Sequence, residues 1–539
     1  MNGKDLDVAI VGAGVGGLYA IHRLRKSGFR VRAFEAADGI GGTWYWNRYP
    51  GCRCDVESME YSYSFSNDLQ QEWRWPERYG TQPAILSYVN HVADRFDLRR
   101  DIELNTRIRS AHFDSGAGLW TLEAENTETG AVRSVRASHC IMATGNLSTP
   151  RTPGYPGLES FRGRWYHTGL WPHEGVDFTG LRVGIIGTGS SGVQSIPLIA
   201  RHARHLHVFQ RTANFSLPAR NEPMREEKES RHKSEYEQRR RAAYSTPFGI
   251  AGYPPPDRSA LDVPEEERNR IYEAKWQEGG SISFLYSFND LLVNREANET
   301  ACEFVRNKIR QTVKDPKTAE LLCPNDHPIG TKRLILDTDY YETYNRDNVT
   351  LVDARSAPIR EILPGGLRTD EADYELDAIV FATGFDAMTG AMKEIDIRTD
   401  RGAAIGEKWA DGPQTYLGIT IAGFPNLFMV TGPQSPGVKS QMILSCEQHV
   451  DWIANCLEHL RAEGLGVIEP EEAAEQAWVQ HNNEVADSTL YPLANSWYVG
   501  ANIPGKPRIF MPYVGGVDRY KQRCDAVAAN GYEGFRTAG

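Results

Sequence analysis

The sequence predicts an α/β protein with two Rossmann-type dinucleotide-binding domains and a helical insertion in the second of them. Two glycine-rich loops support this prediction, Gly12-Ala-Gly14-Val-Gly-Gly17 and Gly187-Thr-Gly189-Ser190-Ser191-Gly192. Each loop follows an apolar run of strand type and precedes a stretch of helical pattern. Glycines at this spacing let the chain turn tightly and approach a pyrophosphate at a helix N-terminus. Two such loops predict two bound dinucleotides with electron transfer between them.

The bulk composition is that of an ordinary globular protein and argues against several classes of function. The chain has 539 residues, of which 40% are hydrophobic and 24% charged. Its apolar runs are much shorter than the roughly 20 residues of a membrane span, so we expect no membrane partner. A strand pattern at residues 8–11 leaves no room for a signal peptide, which predicts a cytoplasmic protein. A net charge of −11 argues against a nucleic-acid partner.

Two conspicuous clusters have ordinary explanations. The run Arg239-Arg240-Arg241 lies in a mixed-charge, helix-favouring stretch and is interpreted as a solvated helix face. The 8 cysteines are too sparse for a disulfide scaffold. Cys52 and Cys54 are separated by one residue, whereas zinc and thioredoxin-type pairs usually have two. We therefore predict ordinary thiols and no metal site.

Residues 8–35 fit the first βαβ unit. A strand is predicted at 8–11, a helix at 18–26 and a second strand at 31–35 that ends at Glu35. An acid at this offset from the glycines can bind a ribose hydroxyl. The aromatic, turn-rich segment that follows contains Thr43 and Trp44 and suits the flat isoalloxazine ring of a flavin, which makes FAD the expected first dinucleotide.

The second unit differs from the first at the end of its second strand. Strands are predicted at 183–186 and 206–209, and the latter is followed by Gln210-Arg211-Thr212, with no acid. An arginine here can pair bidentately with a 2′-phosphate, which predicts NADPH as the second dinucleotide. The alternative is that Arg211 is simply a surface cation at a strand end.

Two stretches interrupt these units. Residues 102–140 alternate in short apolar and polar runs, as in a small antiparallel insertion. Residues 221–329 are charged and helix-patterned, with Asp262-Val-Pro-Glu265 as a capping box for a helix through Trp276. A second helix is indicated by the spacing of Val305, Ile309 and Val313.

The segment between the two glycine loops carries the most specific pattern. Its key residues are Phe161, Gly163, His167, Thr168, Trp171 and Pro172. Alone, they suggest a stiff connection or, alternatively, a surface linker with a few packed aromatics. The pattern resembles, without mismatch, the fingerprint of type I Baeyer–Villiger monooxygenases, nearest to the phenylacetone and steroid monooxygenase branch. That resemblance implies FAD, NADPH and O2, and conversion of bulky cyclic, aryl or steroid-like ketones to esters or lactones through a flavin C4a-peroxide.

The resemblance also implies site residues that spacing alone does not identify. It makes Arg333 the catalytic arginine, Asp55 the acid that tunes it, and Lys332 the lysine that helps select the NADPH phosphate. Tyr61 is implied near the flavin, and Trp497 on a loop that closes over the nicotinamide. The implied substrate pocket comprises Ser435, Pro436, Gly437, Val438, Lys439 and Met442. Lys439 departs from the apolar wall expected there.

Repeated Ala-Thr-Gly strand ends, at residues 143–145 and 382–384, resemble the points where the two nucleotide domains of such flavoproteins exchange chain. They predict an FAD domain of 1–150 and 381–539 and an NADPH domain of 151–220 and 330–380. The latter contains the linker 161–172 and is interrupted by the helical insertion 221–329.

Three other functions fit the sequence less well than ketone oxygenation. A flavin-containing monooxygenase that oxidises nitrogen or sulfur shares both glycine loops but lacks the Thr168 and Trp171-Pro172 positions. A disulfide reductase needs a redox pair that Cys52 and Cys54 do not match. A non-catalytic flavoprotein would not need intact Asp55 and Arg333. Whether the protein is a monomer or a homodimer is left open.

Overall fold

The computed structural model describes residues 5–151 and 154–539. The first glycine loop follows the strand Leu6–Val11 of the larger sheet. Val8, Ala9 and Ile10 of the first strand are fully buried, as expected for a central strand of an α/β sheet. Parallel pairing extends from this strand to both sides, and an antiparallel meander is attached to one side as predicted from residues 102–140. The strands described in this sheet are Leu6–Val11, Val31–Phe34, Ile102–Glu103, Thr106–Asp114, Leu119–Asn126, Val132–Met142, Asp396–Thr399 and Leu427–Met429.

The second sheet, whose strand Arg182–Ile186 leads into the second glycine loop, is parallel throughout its described strands. Their spatial order is Val349–Asp353, His205–Gln210, Arg182–Ile186, Ala378–Phe381 and Arg164–His167. The chain therefore leaves the larger sheet after Met142, builds this second sheet, and re-enters the first at Asp396–Thr399. Three small sheets complete the described strands: Ile359–Leu363 with Gly366–Thr369 and Asp373–Glu375, Ser216–Pro218 with Ile335–Asp337, and Val467–Pro470 with Phe535–Ala538.

Helices cover both sheets, and Val15–Lys26 begins directly at the first glycine loop. It packs beside Met442–Ala462, where Tyr19 donates to Asp451 at 2.8 Å. In the described part of the chain, no helix combines the length and apolar character needed to cross a membrane. The remaining α-helices are Thr43–Trp46, Asn67–Glu72, Gln82–Arg95, Ser190–His202, Glu226–Ala243, Glu265–Glu278, Ser281–Leu285, Arg295–Thr312, Pro316–Leu322, Tyr340–Thr343, Gly390–Lys393, Ile405–Lys408, Glu472–Asp487 and Val517–Ala529.

The predicted helical insertion is present, but its capping box is wrong. Glu265–Glu278 begins after Pro264, and no side chain caps its N-terminus within the described chain. Proline fixes the extended backbone there, and acidic residues of the first turn complement the helix dipole instead. Val305 and Ile309 of Arg295–Thr312 are fully buried, in one apolar core with Val183 and Ile185 of the second sheet.

The interpretation of the arginine run as a solvated face is wrong for its central residue. Arg240 is only 8% exposed. Its guanidinium donates to the carbonyl of Glu60 at 2.8 Å and to Ser62 at 2.6 Å, and Arg239 pairs with the Glu60 carboxylate. Arg241 alone faces solvent. The helix Glu226–Ala243 thus anchors the insertion to the segment just after Asp55, a contact that charge patterning does not reveal.

Candidate active site

The two glycine loops have the same backbone construction. Gly12 and Gly187 have φ values of 104° and 110°, which L side chains rarely adopt. A Cβ on Gly12 would lie 2.6 Å from the carbonyl oxygen of Ala143, and one on Gly187 would lie 2.5 Å from that of Ala382. These alanines begin the two Ala-Thr-Gly segments. Each segment therefore packs against its own glycine loop.

The other glycines of each loop leave a helix N-terminus open. A Cβ on Gly17 or Gly192 would lie 2.0 or 2.2 Å from the carbonyl oxygen of the loop's first glycine. Gly14 and Gly189 occupy the N-cap positions and make no side-chain cap. The first N–H groups of both helices are thus available to an anion, as a pyrophosphate site requires. Ser190 and Ser191 open the second of these helices.

Glu35 lies directly after Val31–Phe34, at the predicted place, and is 6% exposed. Its carboxylate accepts from the backbone N–H groups of Ala13, at 2.8 Å, and Ala37, at 3.0 Å. Burial raises the pKa of Glu35, although these N–H groups oppose the change. The acid therefore shapes the first glycine loop, and its contact with a ribose stays a prediction.

Lys332 is coupled electrostatically to Arg211, which follows the second strand of the second unit, and to Arg355. Lys332 Nζ lies 3.8 Å from an Asp326 carboxylate oxygen. Burial lowers the pKa of Lys332, Asp326 raises it, and the charges of Arg211 and Arg355 lower it again. Arg355 is absent from the sequence predictions, yet it follows the strand Val349–Asp353, which pairs with the strand before Arg211. The only available signal was a basic residue after a strand-like run.

The fingerprint segment is an edge strand of the second sheet, with Arg164–His167 paired in parallel to Ala378–Phe381. A Cβ on Gly163 would lie 2.4 Å from the carbonyl oxygen of Asp377, so only glycine fits. Phe161 and Trp171 are buried. Pro172 follows at the half-buried end of the segment. A plain surface linker does not describe this arrangement.

His167 and Thr168 connect the edge strand to other parts of the site. His167 is 2% exposed, its Nδ1 accepts from Gly169 N–H at 3.0 Å, and Nε2 lies 3.3 Å from the Thr383 hydroxyl. Because Nδ1 accepts, the ring hydrogen is assigned to Nε2. Burial lowers the pKa of His167 to about 4, so the imidazole is neutral. Thr168 shares a hydrogen bond of 3.1 Å with Ser191 of the second glycine loop.

Asp55 and Arg333, which are 278 residues apart, form a bidentate ion pair. Arg333 Nε donates to one carboxylate oxygen at 2.7 Å, and Nη2 donates to the other. Nη1 donates to the carbonyl of Val438 at 2.8 Å. Burial lowers the pKa of Arg333, but the charge and hydrogen bonds of Asp55 more than offset this and raise it overall.

The segment that carries Asp55 touches the helix of the second glycine loop. Gly51, with φ 81°, would place a Cβ 2.3 Å from the carbonyl oxygen of Gln194. The Gln194 side chain accepts from Tyr49 Oη at 2.9 Å and donates to the carbonyl of Arg53 at 3.1 Å. The ion pair thus lies where the two nucleotide-binding units meet.

Trp44 and Tyr61, both predicted to lie near the flavin, contact each other. Trp44 Nε1 donates to Tyr61 Oη at 3.1 Å, the rings meet edge to face, and both side chains are buried. Thr43 is exposed at the start of the same short helix. Trp497 starts a turn, Trp497–Val499, and its ring lies 4.2 Å from that of Tyr498.

The predicted pocket loop contains a residue that supports the loop and one that contacts Arg333. Ser435 is fully buried and donates to the carbonyl of Gly432 at 2.7 Å, so its hydroxyl supports the loop. Pro436 precedes the turn Gly437–Lys439, and Met442 begins the helix that follows. Val438, at the centre of the turn, reaches Arg333 through its carbonyl.

Comparison with known proteins agrees with this geometry. The flavin-binding monooxygenase-like family model matches residues 5–221. A Baeyer-Villiger monooxygenase of Pseudooceanicola batsensis is 42% identical over 533 residues, which cover 98% of this chain and 96% of that protein. A phenazine N-monooxygenase of Lysobacter antibioticus is 41% identical over 536 residues, or 98% of this chain and 96% of the relative.

Among solved structures, an oxidised steroid monooxygenase bound to NADP is 51% identical, covers 99% of each chain and superposes with a TM-score of 0.93. The family resemblance and fold class predicted from the sequence are confirmed. With two nucleotide-binding units that meet at an arginine–aspartate pair, and full-length likeness to these enzymes, the chain belongs to the Baeyer–Villiger monooxygenase family.

Proposed function

We propose that this protein is an NADPH- and O2-dependent FAD monooxygenase that converts ketones to esters or lactones. The observation that carries the proposal is the Asp55–Arg333 pair at the junction of the two nucleotide-binding units. A fixed cation at this junction is suited to a reaction in which negative charge develops on an oxygen atom.

The residues present fit both cofactors. The open helix N-terminus after Gly14, the acid Glu35 and the buried Trp44–Tyr61 wall would hold the pyrophosphate, ribose and ring system of FAD. The second loop would hold NADPH, whose 2′-phosphate would lie among Arg211, Lys332 and Arg355. We propose that Thr212 and Trp497 also contact this cofactor. When bound and reduced by NADPH, FAD would activate O2, one atom of which enters the ketone while the other leaves as water.

Arg333 has donors to spare for a substrate. A guanidinium has five N–H groups. Asp55 and the Val438 carbonyl occupy three of them, which leaves two for an oxygen in the site. Its cation survives at any working pH, so it can stabilise the carbonyl oxygen as charge develops. Asp55 holds the guanidinium in one plane and sets the direction of the free donors.

His167 and Thr168 are proposed to position the two units rather than to transfer protons. Neutral His167 donates to Thr383 of the second Ala-Thr-Gly segment, and Thr168 shares a hydrogen bond with Ser191 at the second glycine loop. Trp497 and Tyr498 would exclude water from the reacting atoms, which protects a reactive oxygen species.

We also propose the domain division and location predicted from the sequence. The return of the chain to the first sheet at Asp396–Thr399 supports an FAD domain of 1–150 and 381–539 around an NADPH domain of 151–220 and 330–380. All 8 cysteines are free and buried, which supports a reducing compartment such as the cytoplasm. The oligomeric state, monomer or homodimer, stays a prediction.

The experiment that tests the function supplies FAD-loaded protein with NADPH, 18O2 and a panel of cyclic and aryl ketones. We expect ketone-dependent NADPH oxidation and an ester or lactone that contains one heavy oxygen by mass spectrometry. Arg333→Ala should retain the flavin spectrum but lose about 100- to 1000-fold in ester formation, as removal of an oxyanion donor implies. Arg360→Ala, which removes an exposed arginine paired with Asp370, is the matched control.

Three results would redirect this assignment. Ester formation by Arg333→Ala at near wild-type rate would remove Arg333 from the chemistry. Because one relative is a phenazine N-monooxygenase, the panel includes an N-heteroaromatic amine. Oxygen transfer to the amine and none to any ketone would make the protein an N-oxygenating enzyme, whereas stoichiometric hydrogen peroxide with every compound would indicate an oxidase or sensor.

A further inference from the structure

Lys439 places a basic side chain close to the arginine–aspartate pair, whose charges both affect its pKa. It ends the turn Gly437–Lys439, directly after Val438, whose carbonyl accepts from Arg333 at 2.8 Å. Its Nζ lies 4.2 Å from the centre of the Tyr491 ring and 4.7 Å from that of Tyr498. Lys439 is therefore held at the reaction centre by two aromatic faces.

The charge of Lys439 has no anionic partner among residues 5–151 and 154–539. Its Nζ makes no hydrogen bond or ion pair with any of these residues, so its three donors remain free. Burial and the charge of Arg333 lower the pKa of Lys439, whereas the charge of Asp55 opposes this. Asp55 itself already accepts from Nε and Nη2 of Arg333. Two basic side chains thus share one carboxylate, and even for the half-buried Lys439 a cation without a counter-ion is costly.

The surroundings of Lys439 are otherwise apolar or neutral. Val438, Tyr491 and Tyr498 belong to one buried apolar cluster, against which Met442 packs. Burial raises the pKa of both tyrosines, so neither supplies a negative charge. A ligand that fits this wall needs an apolar body and one anionic group, and a carboxylate matches an ammonium group that offers several donors.

We propose that Lys439 binds the carboxylate of the ketone substrate, so that the preferred substrates are cyclic or aryl keto acids. This inference rests on the proposed ketone oxygenation and names its substrate class. Arg333 then serves the ketone oxygen while Lys439 fixes the other end of the molecule. Asp55 already supplies a counter-ion to Arg333, whereas Lys439 has no ion-pair partner among the described residues, so the substrate carboxylate is expected at Lys439.

The test uses matched pairs of ketones that differ only in charge. FAD-loaded protein is assayed with 3-oxocyclohexane-1-carboxylate and its carboxamide, and with 4-(2-oxopropyl)benzoate and its carboxamide. We expect a higher kcat/KM for each acid than for its amide. In Lys439→Leu the acid-to-amide ratio should fall roughly ten- to hundredfold, as expected for loss of a charge-assisted hydrogen bond. Lys439→Arg should keep the acid preference.

Binding supplies a readout that is independent of turnover. The affinity of each acid for the oxidised FAD-loaded protein, measured by equilibrium dialysis, should fall in Lys439→Leu by a similar factor. Lys393→Leu removes an exposed lysine and is the matched control for loss of charge. Conversion of the amides by wild type establishes ketone oxygenation separately, so failure of that reaction and failure of the carboxylate site are distinguishable.

Two outcomes overturn the inference. Equal acid-to-amide ratios in wild type and Lys439→Leu would show that the ammonium group does not contact the substrate anion. A selective loss of NADP+ affinity in Lys439→Leu, with the ratio unchanged, would assign the lysine to the nucleotide site.

Discussion

Replacement of Asp55 by asparagine tests how far the acid controls the catalytic arginine. Asparagine keeps the size of Asp55 but removes its charge, and its amide group cannot accept from both Nε and Nη2 of Arg333. Breaking a buried ion pair costs roughly 3–5 kcal/mol. The Arg333 and Asp55 side chains are 33% and 18% exposed, so solvent weakens the pair and about 2–3 kcal/mol is the better estimate.

A loss of this size corresponds to a roughly 30- to 160-fold fall in kcat/KM for the ketone. The assay follows ester formation and NADPH consumption together, because a misdirected Arg333 should waste NADPH as hydrogen peroxide. Asp370→Asn disrupts an exposed pair with Arg360 and provides the control. A rate within threefold of wild type, with unchanged coupling, would refute the idea that Asp55 orients the arginine.

The other predictions concern NADPH and pH. Arg211→Ala and Arg355→Ala should each raise the KM for NADPH about ten- to hundredfold and that for NADH little, since only NADPH offers the 2′-phosphate; equal effects on both nucleotides would contradict this. Gly192→Ala should weaken NADP+ binding at least tenfold by calorimetry with FAD content unchanged, because its Cβ would lie 2.2 Å from the Gly187 carbonyl oxygen; unaltered affinity would be the contrary result. Burial and the neighbouring Arg333 hold the pKa of Lys439 well below its ordinary range. The preference for acid over amide substrates should therefore be full at low pH and decline as pH rises through that pKa, whereas Lys439→Arg should keep the preference. A flat wild-type profile would argue against this.

Local spacing predicted the nucleotide-binding units well because their demands on the backbone are local. Gly12 and Gly187 adopt the positive φ that the loop pattern requires, and Glu35 follows its strand as expected. The capping box failed for a local reason too, since Pro264 occupies the N-cap. The interpretation of Arg240 as solvent-facing was wrong for a tertiary reason. Charge patterning cannot tell whether a helix face meets solvent or the carbonyl groups of another segment.

The sequence by itself determined the two nucleotide-binding loops, the fingerprint segment and the family, because the steric limits on glycine and the alternation of strand and helix are written in neighbouring residues. The resemblance implied that Asp55 tunes Arg333, but only the tertiary structure shows their bidentate contact across 278 positions of chain. Only the tertiary structure, likewise, brings the charge of Arg355 within range of Lys332. It also decided that Lys439 lies over two tyrosine rings and forms no ion pair with any acid in the described part of the chain. Such pairs depend on how distant segments pack, and the energy of a charge depends on what surrounds it once water has been excluded.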